Sequence, residues 1–192
     1  MESLLDIATD LETRDARVAV ELVRVDTEQA DVDEIRTHAE AAAAFLAALP
    51  AAIRGHARDE QQAEEDRATA EHALRADELE EAEAARLRER LRDAAERAER
   101  ARGHQAALEL EGADRRDEAA ALARRAGVVG LDAVLAWASQ RRGELVLERS
   151  GLAREREAIV REASELLGSV TGDAMTATAV AGLRARLERA LP

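Results

Sequence analysis

The sequence predicts an all-α protein, an elongated antiparallel coiled coil of long helices. Three observations lead there. Ala occupies 46 of the 192 positions, charged residues make up 36%, and aromatic residues only 1%; this composition suits long helices better than a thick globular core. Apolar residues recur at seven-residue intervals over most of the chain. Turn-forming residues are confined to a few places, with two Pro and ten Gly in all.

The first helix is expected over about residues 4–48. Leu4, Leu11, Val18, Val25, Val32, Ala39 and Leu46 form one unbroken lane, and Ala8, Asp15, Leu22, Gln29, then Ile35, Ala42 and Leu49 form its companion. Ser3 with Asp6 is a suitable N-terminal cap. Leu49-Pro50 predicts the first break, because proline disfavours a helical residue before it and starts helices well.

A long helix is expected over about residues 51–126, a stretch without Pro. Its clearest seam runs through Leu87, Leu91, Ala94, Ala98, Ala101, Gln105, Leu108, Gly112, Arg115, Ala119, Leu122 and Ala126, in alternating steps of four and three. Half of these residues are Ala or Gly, so many layers remove little apolar surface from water. Gly127-Val128-Val129-Gly130 predicts the second break, with glycine where a helix C-terminus needs a left-handed residue.

A third helix, about 131–167, carries the lane Leu131, Ala138, Leu145, Leu152, Ile159 and Leu166. Gly168 to Asp173 predicts a third break, with Asp173 as N-cap. A short helix over about 173–191 follows, with Val180, Leu183, Leu187 and Leu191 on one side.

Tight antiparallel turns at the first two breaks would pair Leu11 with Leu91, Val18 with Ala84 and Leu4 with Ala98, and likewise Leu145 with Gly112 and Leu166 with Leu91. Both sets use one lane of the long helix. The expected organisation is therefore a single elongated helical unit over residues 1–192. It would hold an acidic hairpin over 1–98 and a second hairpin plus C-terminal helix over 87–192. A local three- or four-helix bundle would form near the middle of the long helix.

Composition also excludes chemistry. The chain has no Lys and no Cys, hence no Walker-type phosphate loop, Schiff base, thiolate metal site, disulfide or thiol nucleophile. The four imidazoles are His38, His56, His72 and His104, and none completes a Glu-x-x-His signature. Glu34 with His38, and His56 with Glu60, read as surface ion pairs. No catalytic, cofactor or metal site is expected, and an enzyme is not. No signal peptide or membrane-length apolar run is visible, so a cytoplasmic protein is the expectation; Arg without Lys and the abundance of Ala suggest a GC-rich bacterial genome. The net charge of −13 lies wholly in residues 1–100, where 27 acids face 14 Arg. Nucleic-acid binding is not expected through that acidic part, nor is membrane binding. Glu78, Glu80, Glu81 and Glu83 read as a solvated helix face.

The expected partners are proteins, including a second copy of the chain. The candidate partner-binding residues are Val128, Val129, Val134, Trp137 and Arg141. They gather an apolar tip, one Trp suited to anchoring an interface and a cationic rim, with Asp132 the sole acid from 119 to 143. Arg142, Arg149 and Arg156 recur at seven-residue spacing on the third helix and are expected at the seam edge, stems packed and heads in water.

Residues 126–191, notably Leu152-Ala-Arg-Glu-Arg-Glu-Ala-Ile-Val-Arg-Glu and Ala181-Gly-Leu-Arg-Ala-Arg-Leu-Glu-Arg-Ala-Leu, resemble the coiled-coil arms of chromosome-maintenance (SMC-like) ATPases. That resemblance implies an arm segment or accessory subunit working with nucleotide-binding heads on another chain. From the residues alone, the expected function is a non-enzymatic structural or interaction protein, a coiled-coil scaffold or spacer.

Overall fold

A computed structural model describes residues 4–75, 80–170 and 174–190. It is all-α, with no strand among the described residues. The helices are α1 (Leu4–Leu74), α2 (Glu81–Ala126), α3 (Leu131–Ser169) and α4 (Ala174–Ala190). Ser3, Glu78, Leu79, Asp173, Leu191 and the side chain of Leu187, all invoked above, lie outside the described residues.

The first boundary differs from expectation. α1 runs straight through Pro50, and the break falls between Leu74 and Glu81 instead. Proline in a helix interior removes one backbone hydrogen bond and crowds the preceding turn, costing about 3 kcal/mol. Against that stands an apolar lane that does not stop at the proline. Ile35, Ala42, Leu49, His56, Ala63 and Ala70 keep strict seven-residue spacing, and all except the half-buried His56 are buried. Pro50 itself is exposed. At the actual break, Glu80 has extended backbone (φ −66°, ψ 145°), and Glu81 and Glu83 lie in the first turn of α2, where carboxylates favour the positive end of the helix dipole. The acidic run thus marks a helix start.

The second break is where it was expected. Gly127 adopts φ 67° and Gly130 φ 90°. The Val128 amide donates to the Ala123 carbonyl at 3.0 Å and the Gly127 amide to that of Arg124 at 3.2 Å, the two bonds of a Schellman stop.

The helices form two compact units, Met1–Arg36 with Ala136–Pro192, and Thr37–Leu135. In the first unit, the N-terminal part of α1 packs on α3 and α4. Leu11 and Val18 join Ile159, Leu166, Val180 and Leu183 in one cluster, and Val25 and Val32 join Ala138 and Leu145 in another. In the second unit, the C-terminal part of α1 packs on α2. Leu49 is buried and touches the space over Gly112, where a Cβ would lie 2.5 Å from its Cδ2.

These partners overturn the expected pairings. Leu145 packs with Val25 and Val32, not Gly112; Leu11 packs in the cluster of Ile159 and Leu166, not on Leu91. The small bundle forms where α4 meets the start of α1 and the end of α3, not along α2. Sorting by side-chain size accounts for this. The larger Leu, Val and Ile lanes of α1 and α3 pair with each other, where each layer buries most apolar surface. Alanine-rich α2 takes the alanine-rich remainder of α1.

Candidate interaction surfaces

Charge frames the α1–α3 seam. On one flank, α3 supplies Arg and α1 supplies Asp: Arg142 with Asp33 at 3.1 Å, Arg149 with Asp26 at 2.9 Å and Arg156 with Asp15 at 3.0 Å. On the other flank the signs are exchanged. Glu155 meets Arg17 at 2.7 Å, Glu162 meets Arg14 at 2.6 Å, and Glu148 meets Arg24. The three Arg were expected at the seam edge. Their counterparts Glu148, Glu155 and Glu162 were not singled out, although each stands six residues after one of those Arg.

The strength of these contacts varies with exposure. Arg156 and Asp15 are the most enclosed, with side chains 12% and 21% exposed. Arg14 grips Glu162 with two nitrogens, at 2.6 and 3.2 Å, a bidentate geometry that adds direction as well as energy. The same contact holds the Glu162 carboxyl below its ordinary value of 4.5 and raises the Arg14 guanidinium.

In the second unit, His38 Nδ1 lies 2.9 Å from Glu118, which Arg115 also holds at 2.9 Å. The hydrogen bond to His38 and then that to Arg115 keep the Glu118 carboxyl below its ordinary value. His56 and His104 stack face to face with centroids 5.3 Å apart. Arg115 also sits 5.8 Å over the Phe45 ring, within cation–π range. Among the described residues, no group of three or more His, Asp or Glu is arranged to hold a metal ion. No described helix is long and apolar enough to cross a membrane.

The five candidate partner-binding residues have separate fates. Val134 is fully buried, and Trp137 is half-buried against the Val25, Val32, Ala138 and Leu145 cluster. Arg141 pairs with Glu28 at 2.5 Å and Glu144 at 2.9 Å. Only Val129, 95% exposed, stands fully in solvent, with Val128 half-buried beside it. Arg141 is thus a strut between helices, and Trp137 is covered on one side by its own unit.

A second surface was missed in the sequence. Thr9, Thr13, Ala16, Val20, Val23, Thr27 and Ala30 lie on α1 in alternating steps of four and three, and every one is exposed. Val20 and Val23 are 68% and 67% exposed. The Thr13 and Thr27 hydroxyls donate to the backbone carbonyls of Thr9 and Val23, so their polar groups are already satisfied. α3 carries a shorter uncharged set of the same spacing, Ala136, Gln140, Gly143, Leu147 and Ser150, also exposed. Such spacing is that of a coiled-coil seam. No family model, curated protein or solved structure matches the chain.

Proposed function

We propose that the protein is a non-enzymatic coiled-coil association module whose first partner is a second copy of itself. The exposed seam of α1 carries this reading. α1 has one apolar stripe filled by α3 and α4, and another, from Thr9 to Ala30, whose seven positions are all exposed. In a chain with 36% charged residues, seven seam positions in succession without a charge are poorly explained by solvation alone. An open seam with 4–3 spacing accepts the knobs of another helix.

Sedimentation equilibrium and light scattering test the reading. The wild-type chain is expected to self-associate reversibly. The double variant Val20→Glu/Val23→Glu is expected to be monomeric with unchanged helix content by circular dichroism, since both positions face solvent in the single chain. A wild type that stays monomeric over the accessible concentration range, or a variant that associates equally well, would refute it.

A further inference from the structure

A groove of about 430 Å³ opens beside the α2–α3 turn, inside the Thr37–Leu135 unit. Leu46, Ala123, Val129 and Leu131 supply its apolar lining, and Arg116 and Arg124 stand at its edge. Among the described residues, no carboxylate lines it. The facing stretch of α1, from residue 41 to residue 53, contains no charged residue.

Three features set this place apart from ordinary helix surface. Val129 lies between two glycines with positive φ, in a turn whose hydrogen bonds need only backbone, yet it holds a β-branched hydrocarbon at 95% exposure. Turn positions of this kind ordinarily take polar residues. Second, neither Arg116 nor Arg124 has a carboxylate partner among the described residues. Along the α1–α3 seam, by contrast, Arg14, Arg17, Arg24, Arg141, Arg149 and Arg156 are all paired. Third, apolar lining and cationic edge are adjacent, which is the complement of one kind of ligand.

We infer that this groove binds an acidic amphipathic helix of another protein. Its apolar side chains would enter between Leu46 and Val129, and its carboxylates would pair with Arg116 and Arg124. Those two Arg stand eight residues apart on α2, about 12 Å along the helix axis. A partner helix lying alongside would therefore need two carboxylates about two turns apart, flanking an aliphatic anchor. The lining would supply affinity, and the Arg pair would fix orientation and favour acidic over basic partners. The inference shares with the proposed function the view that the protein works by binding helices. It uses a different surface, so the two can fail separately.

The test is fluorescence anisotropy of the full chain with labelled, lactam-stapled helices carrying Glu at positions seven or eight apart around two Leu. Control helices carry Lys in place of Glu, or Ala in place of Leu. Saturable binding of the acidic helix is expected, weakening with salt. A loss of about tenfold or more is expected for Val129→Asp and, separately, for Arg116→Glu/Arg124→Glu, both with wild-type circular dichroism. Val20→Glu/Val23→Glu should bind as wild type does. Four outcomes would overturn the inference. They are no saturable binding by the acidic set, equal binding of the Lys helix, equal binding by both groove variants, or competition by inorganic phosphate or anionic phosphatidylserine vesicles as effective as by unlabelled helix. Loss of self-association in Val129→Asp would also overturn it, because a second copy would then be the occupant. If the groove binds while the wild type is monomeric, the inference stands and the self-association reading falls.

Discussion

Asp15 occupies a heptad position where a hydrocarbon would pack best. It is kept there by Arg156, at 3.0 Å and largely shielded from water. Removing one partner strands the other, which is where the cost of such pairs lies. Asp15→Ala is therefore expected to lower unfolding stability by about 2 kcal/mol, between the values typical of exposed and of buried pairs. Urea denaturation measures it, and Asp15→Leu/Arg156→Leu should recover most of the loss. Two glycines give a second contrast at this scale. At Gly112 a methyl group would meet Leu49 at 2.5 Å, whereas at Gly103 nothing lies within 4 Å. Gly103→Ala should gain about 1 kcal/mol of helix propensity. Gly112→Ala gains the same but forces Leu49, itself buried, out of place, with an overpacking cost of about 1–3 kcal/mol. Equal thermal shifts for the two variants would contradict the close approach of α1 and α2.

At the scale of an element, α1 shows how far local chemistry can be overruled. Pro50 is a strong local signal for a boundary, but the lane through Leu49, His56, Ala63 and Ala70 is a stronger one because it extends over several turns. Pro50→Ala should accordingly raise stability, by up to about 3 kcal/mol, with unchanged spectra; a loss of stability would mean that a turn is needed there. The seam between α1 and α3 is legible in the same terms. Leu145, Ile159 and Leu166 were visible as one lane and are buried as one. Their partner helix was not legible, since lanes with equal spacing do not say which will meet; that choice depended on side-chain size and on the charges beside the lanes. The ion pairs add a pH signature. Glu162 has its carboxyl lowered by Arg14, so the folded chain holds fewer protons there than the unfolded one. Its contribution is fully present above the ordinary carboxyl value of 4.5 and is lost as pH falls through the lowered folded value. Glu162→Gln should melt below wild type at pH 7, and the gap should close at strongly acidic pH. A gap independent of pH would assign the effect to packing instead.

For the whole molecule, the composition announced the all-α class, and the Gly127–Gly130 turn announced one of its junctions. The junction between α1 and α2 escaped because neither Gly nor Pro marks it; its visible trace is a cluster of glutamates, with Glu81 and Glu83 in the first turn of α2. The candidate surface was legible in part. Val128 and Val129 were recognised, whereas Leu46 and Arg116 reach the same groove from α1 and from far back on α2, and only the fold brings them there. The exposed seam of α1 was present as a 4–3 spacing but was overshadowed by the larger residues on the opposite side. If a second copy covers that seam, binding to the folded state alone must stabilise it by mass action. The melting temperature should then rise with protein concentration in the wild type and stay constant in Val20→Glu/Val23→Glu.

The exchanged signs on the two flanks of the α1–α3 seam have one blind spot. Arg142, Arg149 and Arg156 are spaced by seven, as are Glu148, Glu155 and Glu162, so sliding α3 by a whole heptad would bring Arg149 to Asp33, Arg156 to Asp26, Glu155 to Arg24 and Glu162 to Arg17. The ladder of charges resists a fractional slip or a reversed helix, yet tolerates a full step. Asp15 has no twin one heptad away, because Ala8 and Leu22 flank it in its lane. After such a step Asp15 would lose its cation. One enclosed carboxylate thus tells the two helices which rung is theirs, the part that a lone polar residue plays in a zipper.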